Sequence, residues 1–164
     1  MSLPPATRTP MTIAEVLDYL PYGPPMQLLD EILELDDEHI LARRRWQESD
    51  CEGHFPGDPI VPGIRMIEFA AQAGVVAWGV YLLSRERSRE ELALERALFT
   101  DIDGGSFRRV VRPGEVTLAR ASFGEEGYLR GTRLVAEVEV TLEGTGEDVF
   151  SALLAGYATR VGSC

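Results

Sequence analysis

Gly63-Ile64-Arg65-Met66-Ile67-Glu68-Phe69-Ala70-Ala71-Gln72-Ala73-Gly74-Val75-Val76-Ala77-Trp78-Gly79-Val80-Tyr81-Leu82-Leu83 is the longest apolar stretch of the chain. It predicts one long helix over residues 63–83. Arg65, Glu68 and Gln72 are its only strongly polar side chains. Three polar residues in twenty-one argue for a buried helix rather than a membrane span. A helix apolar around nearly its whole circumference has to be covered on all sides. An antiparallel sheet curled around it would supply that cover.

The flanking sequence supplies such a sheet. Ahead of the helix, residues 52–63 form a loop, because Pro56, Pro59 and Pro62 fix φ and remove donors that a ladder strand needs. Earlier still, residues 12–20 predict a short helix, with Thr12 and Glu15 at capping-box spacing and Pro21 ending it. Residues 27–34 and 40–47 predict two strands joined by the acidic turn Asp36-Asp37-Glu38. Beyond the helix, the charged residues 84–94 extend it or form a connector. Residues 98–102 and 107–111 predict strands on either side of Asp103-Gly104-Gly105. Residues 116–123, 132–142 and 149–159 predict an antiparallel meander. Leu134, Ala136, Val138, Val140 and Leu142 alternate there with Glu137, Glu139, Thr141 and Glu143. Without an internal repeat or linker, residues 1–164 read as a single α+β domain: one apolar helix and about six strands, with residues 1–10 as a flexible N-terminal segment.

Composition narrows the function. With 45% hydrophobic and 26% charged residues, the chain has a soluble globular profile. Its net charge of −11 argues against general nucleic-acid binding and for plain solubility. The basic residues are nonetheless uneven: Arg85, Arg87 and Arg89 form one group, and Arg108, Arg109 and Arg112 another. Two cysteines, Cys51 and Cys164, do not suggest a disulfide framework. The start, MSLPPATRTP, lacks the basic-then-apolar pattern of a secretory signal, so the expected location is a reducing cytoplasm. With only His39 and His54 as histidines, no metal-ligand cluster is expected. His39, beside the acidic turn, is expected at the surface.

The candidate chemistry lies on the helix and in the loop before it. Arg65, Glu68 and Gln72 stand at i, i+3 and i+7 and share one face. A carboxylate in so apolar a setting is costly unless paired, hydrogen-bonded or protonated. The bland reading is a stripe that is solvated or satisfied by an Arg65–Glu68 pair. The functional reading adds His54, held in the proline-stiffened loop. An imidazole and a carboxyl in partly apolar surroundings are equipment for general acid–base chemistry. Between them lies the helix start at Pro62-Gly63, whose amides suit an oxygen that becomes negative.

Gly53-His54-Phe55-Pro56-Gly57-Asp58-Pro59-Ile60-Val61-Pro62-Gly63, followed by Ile67-Glu68-Phe69-Ala70-Ala71-Gln72, resembles the (3R)-hydroxyacyl-acyl-carrier-protein dehydratases of type II fatty-acid synthesis (the FabZ-like enzymes). Weaker matches are Leu20-Pro21-Tyr22-Gly23-Pro24-Pro25-Met26-Gln27-Leu28-Leu29-Asp30, Asp101-Ile102-Asp103, and Phe107-Arg108-Arg109-Val110-Val111-Arg112-Pro113-Gly114. The resemblance covers residues 13–161 in order. It implies a hot-dog fold, in which a central helix is wrapped by an antiparallel sheet. It implies a homodimer with two sites at the interface, each taking its histidine from one subunit and its acid from the other, and in many members a trimer of dimers. It implies that His54 removes the α-proton, that Glu68 protonates the departing 3-hydroxyl, that the Gly63 amide holds the thioester carbonyl and that Gln72 orients Glu68. No metal or organic cofactor is implied. Phe55 and Phe107 are candidate substrate-binding residues, Phe107 as a tunnel or gate residue. Arg108, Arg109 and Arg112 are candidates for docking acyl carrier protein and its phosphopantetheine phosphate; the alternative is a solvated basic edge.

Two positions depart from the resemblance. Tyr22 stands where the family usually has a non-catalytic histidine. Arg65 stands where it usually has an aliphatic residue. A guanidinium one turn before Glu68 would favour the ionised carboxylate, whereas a general acid needs its proton. Arg65 therefore either points away from Glu68 or changes its role. Glu at position 68, where related dehydratase–isomerases have Asp, implies dehydration without isomerisation. Two rivals share the pattern: a hot-dog acyl thioesterase in which Glu68 activates water, and a non-catalytic acyl-binding subunit closed by an Arg65–Glu68 pair.

Overall fold

The computed structural model describes Leu3 and residues 5–160; Cys164, with Met1, Ser2 and Pro4, lies outside the described residues. Helix α1 (Ile13–Tyr19) begins at Thr12, whose hydroxyl accepts the Glu15 amide while the Glu15 carboxylate accepts the Thr12 amide. The reciprocal cap forms as its spacing predicts. Ahead of α1, the Thr7 and Arg8 amides both donate to the Arg85 carbonyl at 3.0 Å.

Helix α2 runs from Gly63 to Ser84, one residue beyond its expected end. By length and composition it would span a bilayer, yet 72% of its most apolar window is buried within the fold. It is a core helix. Phe69, Ala70, Ala73, Ala77 and Trp78 are fully buried, and a side chain the size of Phe69 contributes about 1.5–3 kcal/mol by burial. Over Gln72–Ala77 the backbone widens into a π turn, a local change that the residue pattern does not announce. Charged residues 84–94 form a connector and a short helix, α3 (Arg89–Ala93), capped by Ser88 and Glu91.

Among the described residues, seven antiparallel strands wrap α2: β1 (Glu31–Leu35), β2 (His39–Arg45), β3 (Glu95–Phe107), β4 (Val116–Ser122), β5 (Tyr128–Arg130), β6 (Arg133–Leu142) and β7 (Asp148–Arg160). Their order is β1-β2-β4-β6-β7-β3, with β5 paired to β6 off that path. This is the hot-dog fold. Two glycines allow the helix to touch the sheet. A Cβ on Gly74 would lie 2.7 Å from Val138 and 2.9 Å from Ala121; one on Gly156 would lie 2.5 Å from Val75. The expected meander forms as β4, β6 and β7, with Ala119 opposite Val140 and Val138 opposite Ala152.

Three expectations change. Residues 98–102 and 107–111 are not two strands about a turn. A single strand, β3, runs through Gly104-Gly105, and its register against β7 shifts between Phe99 and Asp101 and between Asp103 and Ser106. Gly104 takes φ +60°, so the glycine pair makes a bulge that bends one strand instead of a turn that reverses it. Residues 108–111 leave the sheet. The strand expected over 27–34 begins only at Glu31, because the Leu28 amide bonds to the Gln72 side chain on α2 at 2.9 Å instead of to a neighbouring strand. His39 is more covered than a surface residue: its ring lies between Glu34 (2.6 Å) and Asp36 (3.2 Å), with 15% of the side chain exposed.

Candidate active site

The loop before α2 holds His54 by its backbone and its ring. The His54 amide donates to the Cys51 carbonyl at 2.8 Å, and the His54 carbonyl accepts the Ile60 amide at 2.8 Å. Gly53 and Gly57 take φ values of +79° and +80°, which a side chain would oppose. His54 Nδ1 lies 3.0 Å from the Ile60 carbonyl oxygen. That oxygen only accepts, so Nδ1 carries a proton, and in the neutral ring the lone pair lies on Nε2. Phe55 stacks on the imidazole, with centroids 4.0 Å apart and planes 27° apart.

His54 opens into a cavity of about 420 Å³ that Gly63, Met66, Phe107, Arg108 and Val110 also line. Gly63 opens the helix after Pro62, which caps it with no side-chain hydrogen bond. The Arg65 and Met66 amides reach back to the Pro62 carbonyl; the Gly63 amide, at the first position, has no helical acceptor. A methyl group there would sit 3.0 Å from the Phe107 ring. Phe107 itself packs on Phe150, with centroids 4.7 Å apart. The fold thus brings an imidazole, a helix start and an aromatic ring into one cavity.

Glu68 is not on the walls of that cavity. Its Oε1 accepts the Gln72 amide nitrogen at 2.8 Å. The same nitrogen donates to the Met26 carbonyl at 2.7 Å, and Gln72 Oε1 accepts the Leu28 amide. Those partners fix which end of the Gln72 amide is which. Tyr22 stands close enough to Glu68 to feel its charge. Burial first, and the Glu68 charge second, push the Tyr22 hydroxyl up to about 12.

Arg65 turns away from Glu68. Its Nη1 donates to Asp50 Oδ1 at 3.1 Å. Asp50 is 5% exposed and also accepts two bonds from Arg44 and the Gln47 amide. Asp50 was not singled out in the sequence, where it is one of three acids, Glu48, Asp50 and Glu52, with no pattern to set it apart. The basic group at 108–112 is unequal. Arg109 pairs with Glu115 and Glu147, each at 2.8 Å, and Arg112 with Asp58. Arg108 bonds to the Ser151 hydroxyl at 2.8 Å. Of the other basic group, Arg85 pairs with Asp37 and Arg87 with Glu95. Among the described residues, no group of three or more His, Cys, Asp or Glu is placed to hold a metal ion.

Residues 20–152 match the FabA-like domain family. The 3-hydroxyacyl-[acyl-carrier-protein] dehydratase FabZ of Caldicellulosiruptor saccharolyticus is 32% identical over 143 residues, covering 85% of this chain and 96% of that enzyme. The FabZ of Oenococcus oeni is 40% identical over 108 residues, 64% of this chain and 72% of that enzyme. Among solved structures, the dehydratase heterocomplex ApeI:P of Xenorhabdus doucetiae superposes with a TM-score of 0.67 at 19% identity, covering 93% of both chains. A thioesterase of Haemophilus influenzae superposes with a TM-score of 0.66 at 19% identity, covering 95% of both. Two reactions on equally similar backbones mean that the fold alone does not choose the chemistry.

Proposed function

Because the chain belongs to the FabA-like family, we propose that it is a 3-hydroxyacyl-[acyl-carrier-protein] dehydratase, converting a (3R)-hydroxyacyl thioester into the trans-2-enoyl thioester and water in fatty-acid or related acyl biosynthesis. The observation that carries this reading is the placing of His54: an imidazole whose Nδ1 is engaged by the Ile60 carbonyl shares a cavity with the start of α2 at Gly63. His54 Nε2 takes the α-proton. The electron pair moves towards the thioester carbonyl, whose oxygen the Gly63 amide and the positive end of α2 hold. The Cβ–O bond then breaks, the double bond forms, and Glu68 gives its proton to the departing hydroxyl. Gln72 occupies Glu68 Oε1, which leaves Oε2 to carry that proton. The cycle closes when the proton on His54 replaces the one Glu68 has given up.

The site needs two protomers. Glu68 does not reach the His54 cavity of its own chain. Strand β3 ends the sheet and exposes Leu98, Phe99 and Ile102. An edge of that length and apolarity suits pairing with a second copy, so the working unit is a homodimer that sets His54 of one protomer against Glu68 of its partner; trimers of dimers are a further assembly. Arg108 at the cavity mouth, which has the Ser151 hydroxyl as partner in place of a carboxylate, is the first candidate for the carrier's phosphopantetheine phosphate. Arg109 and Arg112 contribute less, because acids already offset them.

The test is turnover of (3R)-hydroxyacyl carrier protein by the purified protein, followed in both directions. The expected result is dehydration and hydration, both lost in His54→Ala by about 10²–10⁴-fold. Absence of turnover overturns the reading, and release of free thiol from acyl thioesters would replace it with the thioesterase.

A further inference from the structure

We propose that Arg65 is a positioning residue: through Asp50 it fixes the His54 base against the Gly63 amide of the same protomer. This rests on the dehydratase reading and deepens it. Asp50 is the hub. Arg44 Nη2 donates to both its oxygens, at 3.0 and 2.8 Å, Arg65 Nη1 to one at 3.1 Å and the Gln47 amide to the other at 2.8 Å. Arg44 Nη1 continues to Asp30 at 2.8 Å, so the charges alternate along Asp30, Arg44, Asp50 and Arg65.

The cluster joins the two ends of the catalytic loop. Asp50 and Cys51 end a 3₁₀ turn (Glu48–Cys51), and the Cys51 carbonyl holds the His54 amide. Arg65 lies two residues beyond Gly63 on α2. The ion pair therefore closes a short circuit: imidazole, Cys51, Asp50, Arg65, helix start. Covalently, His54 and Gly63 are separated by the eight residues 55–62, most of them exposed. A partly buried cross-link between its ends removes freedom that prolines alone do not.

The spacing matters because the α-proton and the thioester oxygen sit on neighbouring atoms of one substrate. Base and amide must meet both at once, and a displacement of about 1 Å costs up to 10²-fold in rate. Glu68 is bound to Gln72 instead, so loss of Arg65 leaves the acid in place. Arg108 and the Phe107 wall are also untouched, so substrate binding is retained while the chemical step slows.

An alternative role is purely structural, since breaking a buried pair destabilises. Arg65→Leu separates the two. Asp50 keeps Arg44 and Gln47 as partners in that variant, so the fold survives. Asp50→Leu would remove the partner of Arg65 and one of the two acids on Arg44 together, and is uninformative alone. The experiment measures kcat and KM of wild type, Arg65→Leu and Arg65→Lys on (3R)-hydroxyacyl carrier protein, with amide hydrogen exchange over residues 53–60. Arg65→Leu is expected to lower kcat by about 10- to 100-fold with KM little changed, and to speed exchange of the His54 amide by about tenfold. Arg65→Lys is expected to recover most of both, because an ammonium still reaches Asp50. Unchanged kcat in an active enzyme, or unchanged exchange whether or not the enzyme is active, overturns the proposal. Absence of turnover in wild type overturns the dehydratase reading instead, and the exchange measurement still decides the clamp.

Discussion

Gln72 Nε2 lies 2.8 Å from Glu68 Oε1 and 2.7 Å from the Met26 carbonyl oxygen. One fully buried amide thus serves the proposed acid and also pins the N-terminal arm to α2. Gln72→Leu leaves the buried Leu28 amide without its partner and frees the part-buried Met26 carbonyl. A buried orphan costs about 1–3 kcal/mol, so a urea melt is expected to show a loss in that range, with turnover falling in protein that remains folded. Unchanged stability would mean that the arm finds other partners.

The helix, the loop and the meander were legible because each is written in local pattern: an apolar run, proline spacing, strict alternation over 134–142. Gly104-Gly105 misled because Asp-Gly-Gly serves turns and bulges equally, and only pairing of β3 with β7 along its whole length decides between them. The arm at 27–30 looked like strand because its apolar residues are buried, yet its amide goes to a side chain 44 positions away. The direction of Arg65 was undecidable for the same reason. Glu68 is a neighbour one turn along the helix, while Asp50 becomes one only after the loop folds back.

Gly63 and Phe107 are in contact, and the contact sets a test of the helix start. A methyl group at Gly63 meets the Phe107 ring at 3.0 Å, so the ring has to shift. Gly63→Ala is expected to lower turnover by crowding the amide proposed to hold the thioester oxygen, a contact whose loss costs about 10²–10³ in kcat. Phe107→Leu introduced into that variant removes the clash and is expected to restore part of the rate. Additive losses in the double variant would show that the two residues act separately.

Strand β3 offers a direct test of the assembly. Leu98 and Ile102 are 43% and 44% exposed on the outermost strand. Charges opposite charges on a paired edge repel. Leu98→Glu with Ile102→Glu is expected to shift the protein to monomers in sedimentation velocity and to abolish turnover together with the dimer. A monomer that retains full activity would place the complete site within one chain.

Tyr22 connects the acid to the pH dependence of stability. Its hydroxyl is raised from the ordinary value near 10 to about 12, by burial first and by the Glu68 charge second. The unfolded chain releases this proton from about pH 10, whereas the folded chain keeps it to about pH 12. Between those values the unfolded state binds fewer protons, so stability falls as pH rises. The contribution is complete below pH 10 and is lost across that window. Tyr19 and Tyr81 are also raised, so the informative quantity is the difference between wild type and Tyr22→Phe, which is expected to flatten the alkaline fall. Glu68→Gln separates the two causes. Removing the charge is expected to lower the pH at which Tyr22 absorbs as tyrosinate, without returning it to the ordinary range, because burial remains. An unmoved titration in Glu68→Gln would mean that the carboxyl does not face Tyr22, and that the tyrosine standing in the family's histidine position has no electrostatic hold on the acid.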